Sequence, residues 1–307
     1  MEGQSISVSP YETDPAKIPR NDRYADVPLY GRYGPAVCDF KPQLEHINST
    51  SSQSLRYWED VLSWCGDSNL VYKNELDDDG RDVFALGSII IKSGHLHKTP
   101  TRDYSYNDAN EVAAVAIAQK PLAKLGIKVP EIYFMGKIHG GDVLVQQRIP
   151  GVGLNIAKQY LGSDEMESFK EQARVVLRTL RDIKPPSAQK SRSYVVPAPD
   201  PVKSHRIRQE EADIIFSDMN TDIDFCFMHN DFTESNTIVD DGKIVGLVDW
   251  EMAGYFGLET ARQVHLQIRG PRKESFAHLE SNEEIKKILK QMFFWRDLYD
   301  QAKLNDV

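Results

Sequence analysis

One stretch of the chain constrains the fold more than any other: FCFMHNDFTESNTIVDDGKIVGLVDWEMAG, residues 225–254. Two β-prone runs lie within it, residues 237–239 and 243–248, and both are rich in β-branched side chains. They flank an Asp- and Gly-containing segment, which is typical of a tight turn. The pattern therefore predicts a β-hairpin that turns at Asp241 and Gly242.

The predicted hairpin brings distant polar residues together at its open end. With a two-residue turn, counting outward along both strands pairs Asn236 with Leu247. Asp249 follows just past that end, and Asp231 lies five residues before Asn236 on the entering loop. We therefore expect three oxygen-bearing side chains to converge.

Such a set suits phosphoryl transfer. Magnesium is a hard cation that prefers oxygen ligands, and a nearby carboxylate can orient the attacking hydroxyl. We expect Asn236 and Asp249 to hold Mg²⁺, which leaves Asp231 as the catalytic residue for the acceptor. The alternative interpretation is a surface hairpin with an Asx-rich turn and incidental polar ends.

The motifs point to a family. The spacing from His229 through Asp231 and Asn236 to Asp249 matches the catalytic loop and metal-binding Asp of the protein-kinase fold. HNDFTESN and LVDWEMAG resemble the HGDLxxxN and IDWExAG signatures of aminoglycoside phosphotransferase-like small-molecule kinases. The resemblance covers residues 69–269. In that family the residue matching His229 has a structural role.

A protein kinase is a poorer match. Asp249 is followed by Trp and Glu where protein kinases have Phe and Gly, and no Ala-Pro-Glu follows downstream. The family resemblance instead implies an ATP- and Mg²⁺-dependent phosphotransferase that phosphorylates a hydroxyl group of a small molecule.

The resemblance also implies a fold class: an α+β, bilobal, protein-kinase-like fold. Its N-lobe has a small antiparallel sheet and one helix, and its C-lobe is larger and mainly helical. Residues 1–50 contain six prolines, a pattern that resists regular structure, and we expect them to form an extended N-terminal arm. Residues 51–150 form the nucleotide-binding N-lobe, and residues 151–307 form the C-lobe with the catalytic loop and acceptor site.

Local patterns place the main elements. LVYKNEL and VFALGSIIIK (residues 83–92) each predict one strand, around an acidic turn. A helix is predicted from Asn107 or Asp108 to Gly126, and Ser163 is predicted to cap another with an apolar stripe. Residues 281–284, Ser-Asn-Glu-Glu, form a capping box for a last helix.

The family match implies residues for the nucleotide side. Lys92, at the end of a strand, would bind the phosphates, and Glu111, on the next helix, would hold it. Gln147 and Ile149, in LVQQRIPG, would offer main-chain groups to adenine. Simpler alternatives are a solvated Lys92, a capping-box role for Glu111 at its helix start, and an ordinary edge strand at residues 147–149.

Two departures from the family motivate a second hypothesis. Asn230 replaces the usual glycine between His and Asp, and the first turn is Gly-poor and acidic, with Glu75 and Asp at residues 77–79. The alternative is therefore a catalytically weak or inactive pseudokinase that binds a nucleotide, ligand or partner. Metal-dependent stabilisation by ATP tests for nucleotide binding.

Composition excludes other classes. The 37 Lys and Arg against 46 Asp and Glu give a net charge of −9, which disfavours nucleic acid as a partner. No apolar run approaches the about 20 residues of a membrane span, and no secretory signal is evident, so we expect a cytoplasmic protein that does not bind membranes. Cys38, Cys65 and Cys226 are expected to be buried thiols. The oligomeric state stays open.

Overall fold

The computed structural model describes residues 9–20, 22, 24, 30–31, 40–73, 80–97, 102–186, 191–270 and 293–305. The acidic turn at Glu75 and residues 77–79, the capping box at residues 281–284, and Cys38 lie outside these ranges. The helices are α1 Ser52–Ser63, α2 Ser105–Ala123, α3 Leu154–Ala157, α4 Ser163–Arg181, α5 Gln209–Ile215, α6 Leu258–Val264 and α7 Gln301–Asn305. The strands are β1 Leu70–Tyr72, β2 Asp82–Leu86, β3 Ile89–Ser93, β4 Ile132–Ile138, β5 Gly141–Gln147, β6 Val152–Gly153, β7 Ser193–Tyr194, β8 Phe227–Met228, β9 Thr237–Asp240, β10 Lys243–Leu247 and β11 Gly254–Tyr255.

The first lobe is built on a five-stranded antiparallel sheet in the order β1-β2-β3-β5-β4. The prediction of one strand over residues 83–92 is wrong, because β2 and β3 form a hairpin with Leu86 opposite Ile89. The chain reverses at Gly87, which has φ +51. A Cβ at Gly87 would lie 2.4 Å from the backbone oxygen of Phe40, so only glycine fits this turn.

Helix α2 begins earlier than predicted. It starts at Ser105 rather than at Asn107 or Asp108. The reason is local, since Oδ1 of Asp103 accepts a hydrogen bond of 2.9 Å from the backbone N–H of Ser105. The predicted stop at Gly126 agrees with the structure, where Gly126 has φ +75 just after the helix.

Helix α2 packs against the second lobe. Four of its buried apolar side chains belong to the large core of that lobe: Ala114, Val115, Ala118 and Leu122. The Nδ2 atom of Asn110 donates hydrogen bonds of 2.9 Å to the backbone oxygens of Glu251 and Ala253. Its Oδ1 accepts one of 2.8 Å from the N–H of Val196. The helix is therefore tied to the second lobe by both packing and hydrogen bonds.

The second lobe is mainly helical, as predicted, with two small sheets of order β10-β9-β6 and β7-β11-β8. Helix α4 begins where expected, but its N-cap is Gly162 rather than Ser163, and Glu165 accepts a hydrogen bond from the Gly162 N–H. Its apolar stripe is buried: Met166, Phe169, Ala173, Val176 and Leu180. A small sheet lobe joined to a larger helical lobe confirms the α+β fold class, although residues 51–150 contain two helices, α1 and α2, instead of the one predicted.

Strands β9 and β10 form the predicted hairpin, but with a different register. Asp240 lies opposite Lys243, as expected. A bulge in β10 then shifts the pairing by one residue, so Leu247 lies opposite Thr237 instead of Asn236. The predicted pairing of Asn236 with Leu247 is therefore wrong.

Next to the bulge, β10 packs against the connection between the lobes. A Cβ at Gly246 would lie 2.8 Å from Cδ1 of Ile149, so β10 passes the connection between the lobes too closely for a side chain. Beyond the bulge, the N–H of Val248 donates a 3.0 Å hydrogen bond to the backbone oxygen of Asn236. Asn236 thus lies one position nearer to Asp249 than the sequence predicts.

Two expectations about the class of protein can be compared with the described residues. Within those ranges, the structure contains no helix that is both long and apolar enough to cross a membrane. Cys65 and Cys226 are buried free thiols, as predicted, and burial raises the pKa of each to about 12.

Candidate active site

Asp249 lies in the cleft between the lobes, directly after β10. Its backbone is left-handed, with φ +65, a conformation that Asp and Asn adopt more readily than other non-glycine residues. The next residue, Trp250, is fully buried, and its Nε1 donates a 2.8 Å hydrogen bond to the oxygen of Leu247. This anchor fixes the Asp249 carboxylate at the open end of the hairpin, with 34% of the side chain exposed.

Lys92 reaches Asp249 from β3 of the first lobe. Its Nζ lies 2.7 Å from Oδ1 of Asp249 and 2.6 Å from Oε2 of Glu111. The capping-box alternative for Glu111 fails, because α2 begins at Ser105 and Glu111 lies more than a turn inside it. One cation thus joins the sheet, helix α2 and the catalytic hairpin.

The charges of Lys92, Glu111 and Asp249 determine which of these side chains are protonated. Burial alone lowers the pKa of Lys92, but Asp249 and Glu111 hold it above its ordinary value. Burial raises the pKa of Glu111, and Lys92 opposes that shift. For Asp249 burial acts in the same direction, yet Lys92 outweighs it and lowers the pKa. Asp249 is therefore ionised opposite a protonated Lys92.

A second buried cation supports the cluster, and sequence reasoning missed it. Arg81, 6% exposed, donates to Asp108 at 2.5 Å and to Glu251 at 3.1 Å. Glu251 lies close to the Lys92 cluster, since one oxygen each of Glu111, Asp249 and Glu251 fall within 4.8 Å of one another. The available signal was a charged residue at the start of a buried strand, where charges are usually paired.

Asp231 lies on the loop that leads into β9, five residues before Asn236. Nδ2 of Asn236 donates to the backbone oxygen of Asp231 at 3.0 Å and to its Oδ2 at 3.1 Å. Nε of Arg269 lies 3.1 Å from Oδ1 of Asp231, and Arg269 also makes two hydrogen bonds to Glu211. Burial raises the pKa of Asp231 to about 6, against the opposing charge of Arg269. Its carboxylate is therefore held from two sides and ionised at neutral pH.

His229 holds the loop that carries Asp231 through two hydrogen bonds. Its Nδ1 accepts a hydrogen bond from the Asp231 N–H at 3.3 Å, so Nε2 carries the proton and donates to the oxygen of Val248 at 3.0 Å. Burial lowers the pKa of His229 to about 4, so the ring is neutral. Asn230 has φ +62, which explains why glycine or asparagine suits this position.

The connection between the lobes contains the two residues predicted to bind adenine through their backbones. The N–H of Gln147 is already used, because it donates to the oxygen of Glu131 at 2.8 Å. The N–H and oxygen of Ile149 both contact the hydroxyl of Tyr30, at 2.7 and 2.9 Å. Ile149 therefore presents a donor and an acceptor to the cleft.

The chemistry of the donor set fits a hard divalent cation. Nδ2 of Asn236 is engaged by Asp231, so its Oδ1 is the atom that can bind a metal. Oδ1 of Asp249 accepts from Lys92, which leaves Oδ2. Oε1 of Glu111, in the same cluster, is buried and has no hydrogen-bond partner among the residues that the structure describes. Oxygen atoms of carboxylates and amides are the ligands that Mg²⁺ prefers.

Comparisons with solved structures give distant similarities. The chain is similar to the aminoglycoside phosphotransferase APH(3'')-Id from Streptomyces rimosus, with 15% identity, coverage of 84% of this chain and 98% of that one, and a TM-score of 0.42. An amicoumacin kinase in complex with AMP-PNP and Ca²⁺ shows 13% identity, coverage of 82% and 80%, and a TM-score of 0.38.

Sequence comparison gives the family. The chain matches no curated protein sequence. A family model described as phosphotransferase enzyme family, APH, matches residues 68–256, which is more than half of the chain and includes Lys92, Asp231 and Asp249. The chain therefore belongs to the phosphotransferase enzyme family.

Proposed function

We propose that this phosphotransferase is a small-molecule kinase that transfers the γ-phosphoryl group of ATP to an alcohol, with Mg²⁺ as the metal. The observation that carries the proposal is the arrangement around Asp249. It contacts Lys92, which is paired with Glu111, and it follows the hairpin whose other strand leads back to Asn236 and Asp231. A cation, metal-binding oxygens and a carboxylate near the acceptor are what this transfer requires.

Each residue has a definite task. Lys92 binds and orients the nucleotide phosphates, and Asn236 and Asp249 hold the metal through Oδ1 and Oδ2. When bound, Mg²⁺ neutralises charge on the phosphates. Asp231 orients the acceptor hydroxyl and takes its proton. The acceptor oxygen forms a bond to the γ-phosphorus, the bond from that phosphorus to the β–γ bridging oxygen breaks, and ADP leaves.

Three residues support the base. Arg269 pairs with Asp231, and Glu211 pairs with Arg269, so the carboxylate cannot rotate freely. Neutral His229 holds the backbone of the same loop. Positioning of this kind supplies much of the rate acceleration in phosphoryl transfer, where little covalent chemistry falls to the protein.

The test combines turnover with binding. Purified protein is incubated with ATP, Mg²⁺ and pools of small hydroxylated molecules, and both ADP and the phosphorylated product are measured. We expect ADP to form in equal amount with one product and to require the metal. Thermal stabilisation by ATP with Mg²⁺, without product from any pool, would support the alternative of a nucleotide-binding pseudokinase.

A further inference from the structure

A cavity of about 550 Å³ lies beside Asp231. Its wall is formed by residues before and within α5, by Met252, and by Ile268 and Arg269 after α6. Arg269 belongs both to this wall and to the ion pair with Asp231, so the cavity opens beside that carboxylate. On the proposed function, a molecule bound here would present its hydroxyl to Asp231.

The wall carries more positive than negative charge. Its described residues include four arginines and two glutamates: Arg102, Arg206, Arg208, Arg269, Glu210 and Glu211. Glu211 is used by Arg269. Glu210 and Arg208 are both exposed at the rim. The buried part of the wall is therefore cationic.

Arg206 is the decisive residue. It is 4% exposed, lies over the ring of Tyr194 at 3.5 Å, and donates to the backbone oxygens of Glu251 at 2.5 Å and Val196 at 3.3 Å. Among the described residues it forms no ion pair with a carboxylate, and its buried Nε has no hydrogen-bond partner. Burial lowers the pKa of Arg206, and the nearby carboxylates of Glu251 and Glu211 oppose this only in part, so an anion supplied by a ligand would relieve the cost of burying this cation.

We propose that the acceptor of this kinase is an anion, a small hydroxylated carboxylic acid whose carboxylate pairs with Arg206. The planar guanidinium of Arg206 matches a carboxylate, and charge-assisted hydrogen bonds of this kind are strong. The proposal rests on the proposed function and gives it a substrate class.

The experiment compares hydroxy acids with their neutral amides, amino alcohols and phosphate esters as acceptors. We expect kcat/KM to be highest for the acids, by roughly tenfold or more over the amides. Arg206→Gln should remove that preference and raise the acceptor KM while leaving the KM for ATP unchanged. Arg178→Gln, on α4 away from the cavity, is the matched control. Preference for phosphate esters, or for amines or amides over acids, overturns the proposal.

A binding measurement separates failure of the proposed function from failure of the anion-site proposal. If no acceptor of any kind is phosphorylated, the proposed function fails, and thermal shift with the acids alone then decides about the cavity. Stabilisation that Arg206→Gln abolishes supports an anion site, and no stabilisation overturns it. If Arg206→Gln does not fold, the exposed Arg208→Gln variant should still weaken acid binding through its lost charge, and an unchanged affinity overturns the proposal.

An independent observation concerns Tyr30 of the N-terminal arm. Its hydroxyl accepts a 2.7 Å hydrogen bond from the N–H of Ile149 and donates one of 2.9 Å to the oxygen of the same residue. Its own backbone oxygen accepts from the N–H of Gly153 at 3.2 Å. Tyr30 therefore binds to the connection between the lobes through both its hydroxyl and its backbone.

The Tyr30 side chain lies between the two lobes. On one side it packs with apolar residues of the sheet: Val71, Ala85 and Ile90. On the other it packs with the connection and the catalytic hairpin: Ile149, Ile238 and Val248. The next residue, Gly31, has φ +88, and a Cβ there would lie 2.8 Å from the oxygen of Gly151, so the backbone at Gly31 passes too close for a side chain.

The Tyr30 ring is flat and lies between the lobes, and its hydroxyl bonds to the N–H and the oxygen of Ile149. Adenine would need the same flat space and the same two backbone groups. While the Ile149 N–H donates to the Tyr30 hydroxyl, a bound base cannot accept a hydrogen bond from the same N–H. On the proposed function, we infer that Tyr30 is an autoinhibitory residue that competes with the nucleotide, so that ATP binds only when Tyr30 leaves this place. The apparent affinity for ATP is then reduced by the fraction of molecules with Tyr30 in this place.

Nucleotide titration tests this inference. Tyr30→Phe, which loses both hydrogen bonds, should lower the Kd for ATP with Mg²⁺ several-fold, and Tyr30→Ala should lower it by about tenfold. Tyr11→Phe is the matched control, because Tyr11 is another arm tyrosine whose hydroxyl accepts from a backbone N–H, that of Gly242. An unchanged or higher Kd in both Tyr30 variants overturns the inference.

Hydrogen exchange on the unmodified chain gives a second readout. If Tyr30 withdraws, adding ATP with Mg²⁺ should speed exchange of the Gly153 amide, which the Tyr30 backbone oxygen now protects. Slower exchange at Gly153 would mean that Tyr30 and the nucleotide bind together, and would contradict competition. Turnover measurements test the proposed function. Hydrogen exchange at Gly153 tests only whether Tyr30 and the nucleotide compete.

Discussion

Nζ of Lys92 lies 2.6 Å from Oε2 of Glu111, and this buried ion pair joins the sheet of the first lobe to helix α2. It also places Lys92 within reach of Asp249. The pair therefore has a structural and a catalytic consequence.

Replacing Lys92 with Met should affect both. We expect kcat/KM for ATP to fall roughly 100-fold or more, because a positioned cation no longer meets the phosphates. The free energy of unfolding in urea should fall by about 3 kcal/mol, because Glu111 stays buried without its partner. Lys243→Met, at an exposed strand position, is the control. Normal ATP use by Lys92→Met would contradict the role of Lys92.

Replacing Asp231 with Asn should remove transfer but not nucleotide binding. Asn retains the size of the side chain, yet it cannot take the hydroxyl proton, so kcat should fall roughly 100- to 10,000-fold. Asp241→Asn is the matched control, because this exposed turn residue has φ +44, which Asn also tolerates. Steady-state kinetics with ATP titration separates the two effects. Full turnover by Asp231→Asn would rule out the proposed base.

The meeting of Asp231, Asn236 and Asp249 was predictable because it depends on short-range features. The turn at Asp241 and Gly242 fixes the hairpin locally, and the two strands then carry their ends to one place. The error in register also had a local signal, since a glycine inside a strand run often marks a bulge or a close approach. The same holds for the turn at Gly87 inside the run predicted as one strand.

The supporting charges were not predictable in the same way. Arg81 and Glu251 are 170 positions apart, and no periodic pattern links them. Arg269 and Glu211 likewise meet only because α5 and the end of α6 pack together. Such pairs depend on how the helices of the second lobe pack, and a single sequence does not encode that packing in any local spacing.

Replacing Gly257 tests how closely the backbone is packed in the second lobe. Gly257 has φ +89, and a Cβ there would lie 2.0 Å from the backbone oxygen of Asp224. Gly257→Ala should therefore lower the free energy of unfolding by about 3 kcal/mol or more, from backbone strain and overlap together. Gly242→Ala has a similar φ of +71 and open space around it, so about 1 kcal/mol is expected. Equal losses in urea denaturation would contradict the overlap.

His265 should make stability depend on pH. Its Nε2 donates to the oxygen of Trp295 at 3.0 Å, and its buried Nδ1 has no partner within the described part of the chain. Burial lowers the pKa of His265 to about 4. Between about pH 6.5 and 4 the unfolded chain binds a proton that the folded chain does not, so stability falls as pH falls through this window.

The His265→Gln variant isolates this contribution. Gln can donate to the same carbonyl but does not titrate, so the stability advantage of the unmodified protein should shrink by about 3 kcal/mol between pH 7 and pH 4. Urea unfolding of both proteins across that range measures it, with the exposed His139→Gln variant as the control for loss of a histidine. A difference that stays constant with pH would contradict a buried neutral His265.

The attachment of α2 to the second lobe has a mechanical consequence. Asn110 and the apolar face of α2 fasten Glu111 to that lobe, whereas Lys92 travels with the sheet. Any hinge motion that swings the sheet outward must pull Lys92 away from Glu111. The angle between the two lobes therefore determines the position of Lys92, and Lys92 is paired with Glu111 only when the lobes are closed.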